Sequence, residues 1–164
     1  MNKARWCDFE ELGSVVTRQF KGGMDSVHGP SHWKRVERNG LWLCRRHLAD
    51  PFVVRLFAWF HDAKRENEYT DPGHGGRGAD FARSLRGTLF DLEEDAFEKL
   101  LYACTWHTDR HHASEITIGT CWDADRLDLG RVDMIPSPDF MSTESGRLVA
   151  KEGSFHLLQS PDEC

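Results

Sequence analysis

Pro51-Phe52-Val53-Val54-Arg55-Leu56-Phe57-Ala58-Trp59-Phe60-His61-Asp62 contains the most hydrophobic helix-length segment of the chain, and it ends abruptly in an imidazole and a carboxylate. Proline is tolerated in the first turn of a helix, so Pro51 predicts a third helix over Phe52 to about Ala63. A strand is the competing reading for so short a run. On the helical reading apolar side chains fall nearly all round, which marks a central, buried element. His61-Asp62 then ends a helix that is driven into the core. Burying a carboxylate beside an imidazole is costly unless each is paired or bound to a cation. Successive helical residues diverge by about 100°, so both can hold one ion only from a helix end or a kink.

The flanking segments also read as helices. Phe9, Leu12, Val15, Val16 and Phe20 recur with helical period. Ser31 predicts an N-cap after Gly29-Pro30, opening a helix from His32 to about Leu48, with Asn39-Gly40 marking a bend or break. Further helices are expected over 76–85, 92–106 and 118–129, with a loop and a short helix near 142–151. The glycine clusters at 21–23 and 72–76 read as loops. Nothing reads as β, so the expected fold class is all-α.

Composition bounds the rest. A length of 164 residues fits one domain, 1–164, and 39% apolar with 11% aromatic residues suffices for a core. A net charge of −6 argues against affinity for nucleic acid backbones or anionic membranes. No apolar run is long enough to span a bilayer. The N-terminus has no apolar signal region, which predicts a cytoplasmic protein. Cys7, Cys44, Cys104, Cys121 and Cys164 are odd in number and lack CxxC spacing, so they read as reduced thiols, not as a disulfide frame or zinc knuckle. No Walker or Rossmann glycine pattern suggests ATP-driven or nicotinamide chemistry.

An oxygen and nitrogen donor set such as His61-Asp62 suits a divalent Fe, Mn, Co, Ni or Zn ion. Further ligands must come from distant segments. His32 opens the second predicted helix, with His28 four residues earlier. Asp125 lies in Trp-Asp-Ala-Asp-Arg-Leu-Asp, where Asp123 and Asp128 compete with it. His74 follows Asp71-Pro72-Gly73, and His107 ends the fifth predicted helix. Asp71, Asp109, His47 and His156 read as structural.

The order His32, His61-Asp62, Asp125 resembles the H…HD…D signature of the HD-domain superfamily of metal-dependent phosphohydrolases. His-Trp-Lys-Arg-Val at 32–36 is similar to that family's H-x-x-R-V opening, Ala-Trp-Phe-His-Asp at 58–62 to its apolar run ending in HD, and Ala-Asp-Arg-Leu at 124–127 to its closing A-D-x-L. The resemblance spans about residues 25–131, leaving 132–164 as a tail without a clear pattern. It implies an all-helical bundle with a metal site between helices, held by His32, His61, Asp62 and Asp125. HD proteins with two metals insert further histidines before the final Asp, and His74 and His107 match those positions in order, although His111-His112 could take the role of His107. One or two ions are therefore implied, and His74 and His107 either hold the second or face the substrate.

The resemblance also implies chemistry. Such a site polarises a phosphoryl oxygen and acidifies bound water, and the charge developing on phosphorus calls for cations nearby. Lys64, Arg65, Arg77 and Arg126 are the candidates, with Lys34 and Arg35 behind them. Glu66 is a candidate base or water-orienting group, and His28 a candidate substrate contact. The implied function is hydrolysis of a small phosphate ester, a nucleotide among the candidates. Two other classes remain open: a di-iron oxygenase of the kind represented by myo-inositol oxygenase, and a non-catalytic metal or nucleotide sensor. The sequence leaves the metal, the substrate and the oligomeric state open.

Overall fold

A computed structural model describes residues 5–153. A short strand β1 (Trp6–Cys7) precedes helices α1 (Phe9–Gln19), α2 (Pro30–Cys44), α3 (Pro51–Phe60) and α4 (His74–Leu85). Strand β2 (Phe90–Asp91) follows, then α5 (Glu94–Trp106), α6 (Ile116–Arg126) and α7 (Glu144–Glu152), with 3-10 turns at Leu129–Val132 and Pro138–Phe140. No helix among the described residues is long and apolar enough to cross a membrane.

The bundle is built around α3, which contacts α1, α2, α4, α5 and α6, while α2 also packs on α6 and α4 on α5. Val53, Val54, Leu56, Phe57, Ala58 and Phe60 are all buried, as an element apolar on every side requires. Asp50 starts α3 by accepting from the N–H groups of Phe52 and Val53, with Pro51 in the first turn.

Several boundaries differ from expectation. Gly29, not Ser31, caps α2, because Pro30 takes the first helical position. His32 therefore sits inside the first turn. Asn39-Gly40 does not break this helix. The Asn39 side chain donates to Ala124 O at 3.1 Å, and Gly40 lies against Val54, where a Cβ would collide with the valine. The glycines of 72–76 are not all loop either: α4 begins at His74, and Gly75 lets it approach the Cys104 carbonyl of α5 closely. The small antiparallel ladder, Trp6 opposite Asp91 and Cys7 opposite Phe90, carries no sequence signal long enough to read. His156 and the last cysteine lie outside the described residues.

Candidate metal centre

α3 keeps its helical bonding as far as His61, whose N–H donates to Phe57 O at 3.0 Å. Ala63 N–H then donates to Phe60 O at 3.2 Å in a tighter turn. The helix end thus delivers His61 and Asp62 to one place, as a shared ion requires. α2 supplies His32 from its first turn, α4 supplies His74 from its first residue, His107 caps the end of α5, and Asp125 comes from the last turn of α6.

These side chains converge. His32 Nε2 lies 3.1 Å from His61 Nε2 and 3.2 Å from Asp125 Oδ1, and 3.7 Å from Asp62 Oδ2. His61 Nε2 is 3.6 Å from Asp125 Oδ1 and 3.8 Å from Asp62 Oδ2. The other Asp62 oxygen faces a second group: Oδ1 is 3.1 Å from His74 Nε2 and 3.6 Å from His107 Nε2, which are 3.0 Å from each other. Asp62 thus stands between two clusters, one oxygen to each.

The outer nitrogens fix what the inner ones can do. His61 Nδ1 contacts the Phe57 and Ala58 carbonyls, His74 Nδ1 the Asp71 carbonyl at 2.7 Å, and His107 Nδ1 the Cys104 carbonyl at 2.7 Å. A carbonyl only accepts, so in all three histidines Nδ1 carries the hydrogen and Nε2 is left as the donor atom for a metal. His32 Nδ1 likewise donates to Asp128 Oδ2 at 2.7 Å. Four imidazoles therefore aim Nε2 atoms at one another in two pairs with no hydrogen assigned between them. Spacings of 3.0–3.8 Å are those of donors sharing one ion, since bonds to such metals run about 2.0–2.2 Å. Overlapping trios, His32-His61-Asp62, His61-His107-Asp125 and Asp62-His74-His107, each bring their ligand atoms within 4.8 Å and can hold a metal ion.

The carboxylates are matched to this role. Burial pushes Asp62 up, but the imidazoles of His61, His107, His28 and His74 packed around it outweigh that and hold the group well below the ordinary carboxylate range. Burial likewise raises Asp125, and contacts with His32 and His61 more than reverse it. Asp123, its competitor two residues earlier, shows the opposite balance: burial wins and raises it, although Ser142 N–H, Thr143 N–H and the Thr143 hydroxyl all donate to it. It ties α6 to the start of α7 and does not face the cluster.

Other expected site residues are placed as follows. His28 Nδ1 donates to Asp62 Oδ2 at 3.0 Å, beside the first cluster. Arg65 lines the pocket, its NH1 3.5 Å from His74 Nδ1 and its NH2 donating to Tyr69 O. His107, not His111 or His112, joins the cluster; His112 Nε2 donates to Asp139 O. The structure does not bring Glu66 to the centre. It is exposed and paired with Lys21 at 3.0 Å, because the turn after Asp62 carries it outward. Lys64 points away as well, with Nζ over the Phe81 ring. Arg77 is spent on Lys64 O, Pro72 O and Asp71, so it is a brace for the 64–73 loop and not a free cation. Arg126 borders the pocket, but its terminal nitrogens donate to the carbonyls of His107, Arg110, His111 and Phe140.

Asp128, weighed from sequence only as a rival ligand, is instead the carboxylate that orients His32, while Arg35 Nε holds its other oxygen at 2.7 Å. A carboxylate behind a metal-binding imidazole fixes its tautomer and raises its basicity. The spacing Asp125, Asp128 puts both on one side of the helix end, which is the signal that could have revealed it. Beside the clusters opens a cavity of about 330 Å³, lined by polar residues such as His28, Arg65 and Arg131 and by apolar ones such as Leu129, Val132 and Phe140.

A helical bundle whose helix ends gather such a donor set is an HD-domain-like architecture. Among solved structures it is similar to the crystal structure of a predicted HD superfamily hydrolase from an uncultured Thermotogales bacterium. The two share 26% sequence identity and a TM-score of 0.73, over 93% of this chain and 88% of that one. That likeness, together with the buried His/Asp clusters, bears out the resemblance to the HD-domain superfamily. No protein-family model and no curated protein matches the chain.

Proposed function

We propose that the protein is a metal-dependent phosphohydrolase of a small phosphate ester. The observation that carries this is the pair of Nε2–Nε2 contacts sharing Asp62 on the floor of a ligand-sized cavity. His32, His61, Asp62 and Asp125 would hold the principal ion, and Asp62, His74 and His107 a second. When bound, the metal supplies Lewis acidity toward a phosphoryl oxygen and acidifies the attacking water. His28 orients Asp62 through its Nδ1–H. Arg65 borders the second cluster and offers positive charge to the phosphoryl group. Water attacks phosphorus, the ester P–O bond breaks, and the products are an alcohol and phosphate. The hydrolase named in the similar crystal structure supports this class, and the net charge of −6 favours a small substrate over a nucleic acid.

One observation favours a second reading. Two clusters sharing one carboxylate also suit a pair of iron ions, hence an oxygenase. Elemental analysis of the untagged protein, followed by assays on phosphate esters and by oxygen uptake, separates the two. One or two divalent ions with phosphate release supports hydrolysis. Two irons with oxygen-dependent turnover and no phosphate release replaces it.

A further inference from the structure

The cations that the sequence offers the pocket are mostly committed elsewhere, and one that it does not single out is not. Arg131 lies in the 3-10 turn Leu129–Val132, with its side chain only 10% exposed. Its Nε donates to Val27 O at 2.9 Å and its NH1 to the Asp128 carbonyl at 3.0 Å. These two bonds hold the guanidinium plane at two points and fix the direction of the third nitrogen. NH2 stands 4.0 Å from Asp125 Oδ1, beyond a hydrogen bond, and donates to no described group. It borders the cavity above the first cluster, beside Leu129 and Val132.

NH2 is paired in charge with Asp125 but makes no hydrogen bond to a described group, so it can still donate to an acceptor that enters the cavity. A planar, permanently charged fork is well suited to the oxygens of a phosphate. Arg126, with its terminal nitrogens on backbone carbonyls, cannot serve, nor can Lys64 or Arg77, which point away. We propose that Arg131 is a catalytic residue whose NH2 binds a phosphoryl oxygen of the substrate beside Asp125. With Arg65 at the His74 side, the cavity then places a guanidinium at each end of the donor cluster, which selects a dianionic phosphomonoester over a neutral or singly charged ester. This rests on the phosphohydrolase reading for the identity of the anion.

The test is calorimetric titration of inorganic phosphate into protein reconstituted with Mn²⁺, wild type against Arg131→Met, with metal content and p-nitrophenyl phosphate turnover measured on the same samples. The expected result is phosphate binding weakened about tenfold or more, as loss of a charge-assisted hydrogen bond implies, with Mn²⁺ content unchanged. Unchanged phosphate affinity in the variant, or no phosphate binding by the wild type, overturns the assignment. Should Arg131→Met not fold, Arg131→Lys decides: it keeps a cation without the fork, and wild-type affinity in it overturns the proposal, whereas a severalfold loss supports it. If phosphate binding depends on Arg131 but no ester is turned over, the hydrolase reading fails and the anion site stands. If esters are hydrolysed equally by both proteins, the reverse holds.

Discussion

Asp123 and Asp125 stand two residues apart on α6, and they serve different regions of the molecule. Asp123 reaches toward the start of α7, where three donors surround it and its work is to join two elements. Asp125 reaches toward α2 and α3, where it meets imidazole nitrogens and leaves an oxygen edge toward the cavity. The first carboxylate is satisfied by the fold itself. The second has no hydrogen-bond donor whose hydrogen is assured, since every neighbouring imidazole keeps its hydrogen on the far side. The difference teaches how to tell a structural buried acid from a candidate ligand: by what faces it, not by how deeply it lies.

The sharpest way to break this comparison is to remove side chains on the cluster side. Asp125→Ala, His61→Ala and Asp62→Ala should each lower turnover by a factor on the order of 10³ or more, with bound metal falling and the helical circular dichroism signal kept. Full metal content and turnover in these variants would sink the ligand assignment. Asp123→Ala should do the opposite, leaving the metal in place while costing about 3 kcal/mol of stability as buried donors lose their acceptor. That corresponds to a Tm lower by roughly 6–12 °C, read by thermal denaturation beside elemental analysis. If Asp123→Ala instead lost metal at unchanged Tm, the roles of the two acids would be exchanged.

Asp128→Asn tests the intermediate case, a carboxylate that touches a ligand without being one. Its expected effect is a loss of about 10–100-fold in metal affinity, measured by competition with a chelating dye, with the metal still bound at saturation. The smallest effect concerns Asp71, whose oxygens take Arg77 NH2 and the Glu66 N–H at 2.7 Å each. Burial pushes this carboxyl up, but those partners outweigh it and hold it below its ordinary value. A depressed folded pKa means stabilisation that is present above the unfolded value of about 3.9 and lost as pH falls through the folded one. The Tm gap between wild type and Asp71→Asn should therefore be full near neutrality and close below about pH 4. A gap that stayed the same from neutral pH into acid would show that Asp71 contributes nothing through its charge.

What could be read from the sequence follows from range. The burial of α3 was legible because composition alone sets it, and the convergence of His61 and Asp62 because a helix end is a local event. His32, Asp125, His74 and His107 were legible as an ordered set, each beside a helix boundary. Asp125 over Asp123 rested on its Ala-Asp-Arg-Leu context; in the fold Asp125 meets His32 and His61, whereas Asp123 meets Ser142 and Thr143. The cations were not legible. Arg77, Arg126 and Arg131 look alike in sequence, and only the positions of backbone carbonyls distant in the chain separate two braces from a guanidinium with an unspent edge. Glu66 was misplaced for a related reason: four residues past Asp62 would share its helical face, but the helix has already ended.

The two attachments of α6 have a consequence for how such a protein can change over evolutionary time. Asp123 and Arg126 hold residues 107–111 and 140–143 on either side of α6 mostly through backbone groups, with the Thr143 hydroxyl the one side chain among these contacts. Residues 132–139 can therefore be exchanged or lengthened while those anchors and the five helices that carry the His/Asp cluster stay as they are. The lining of the cavity can thus change while the His/Asp cluster on its floor keeps its supports.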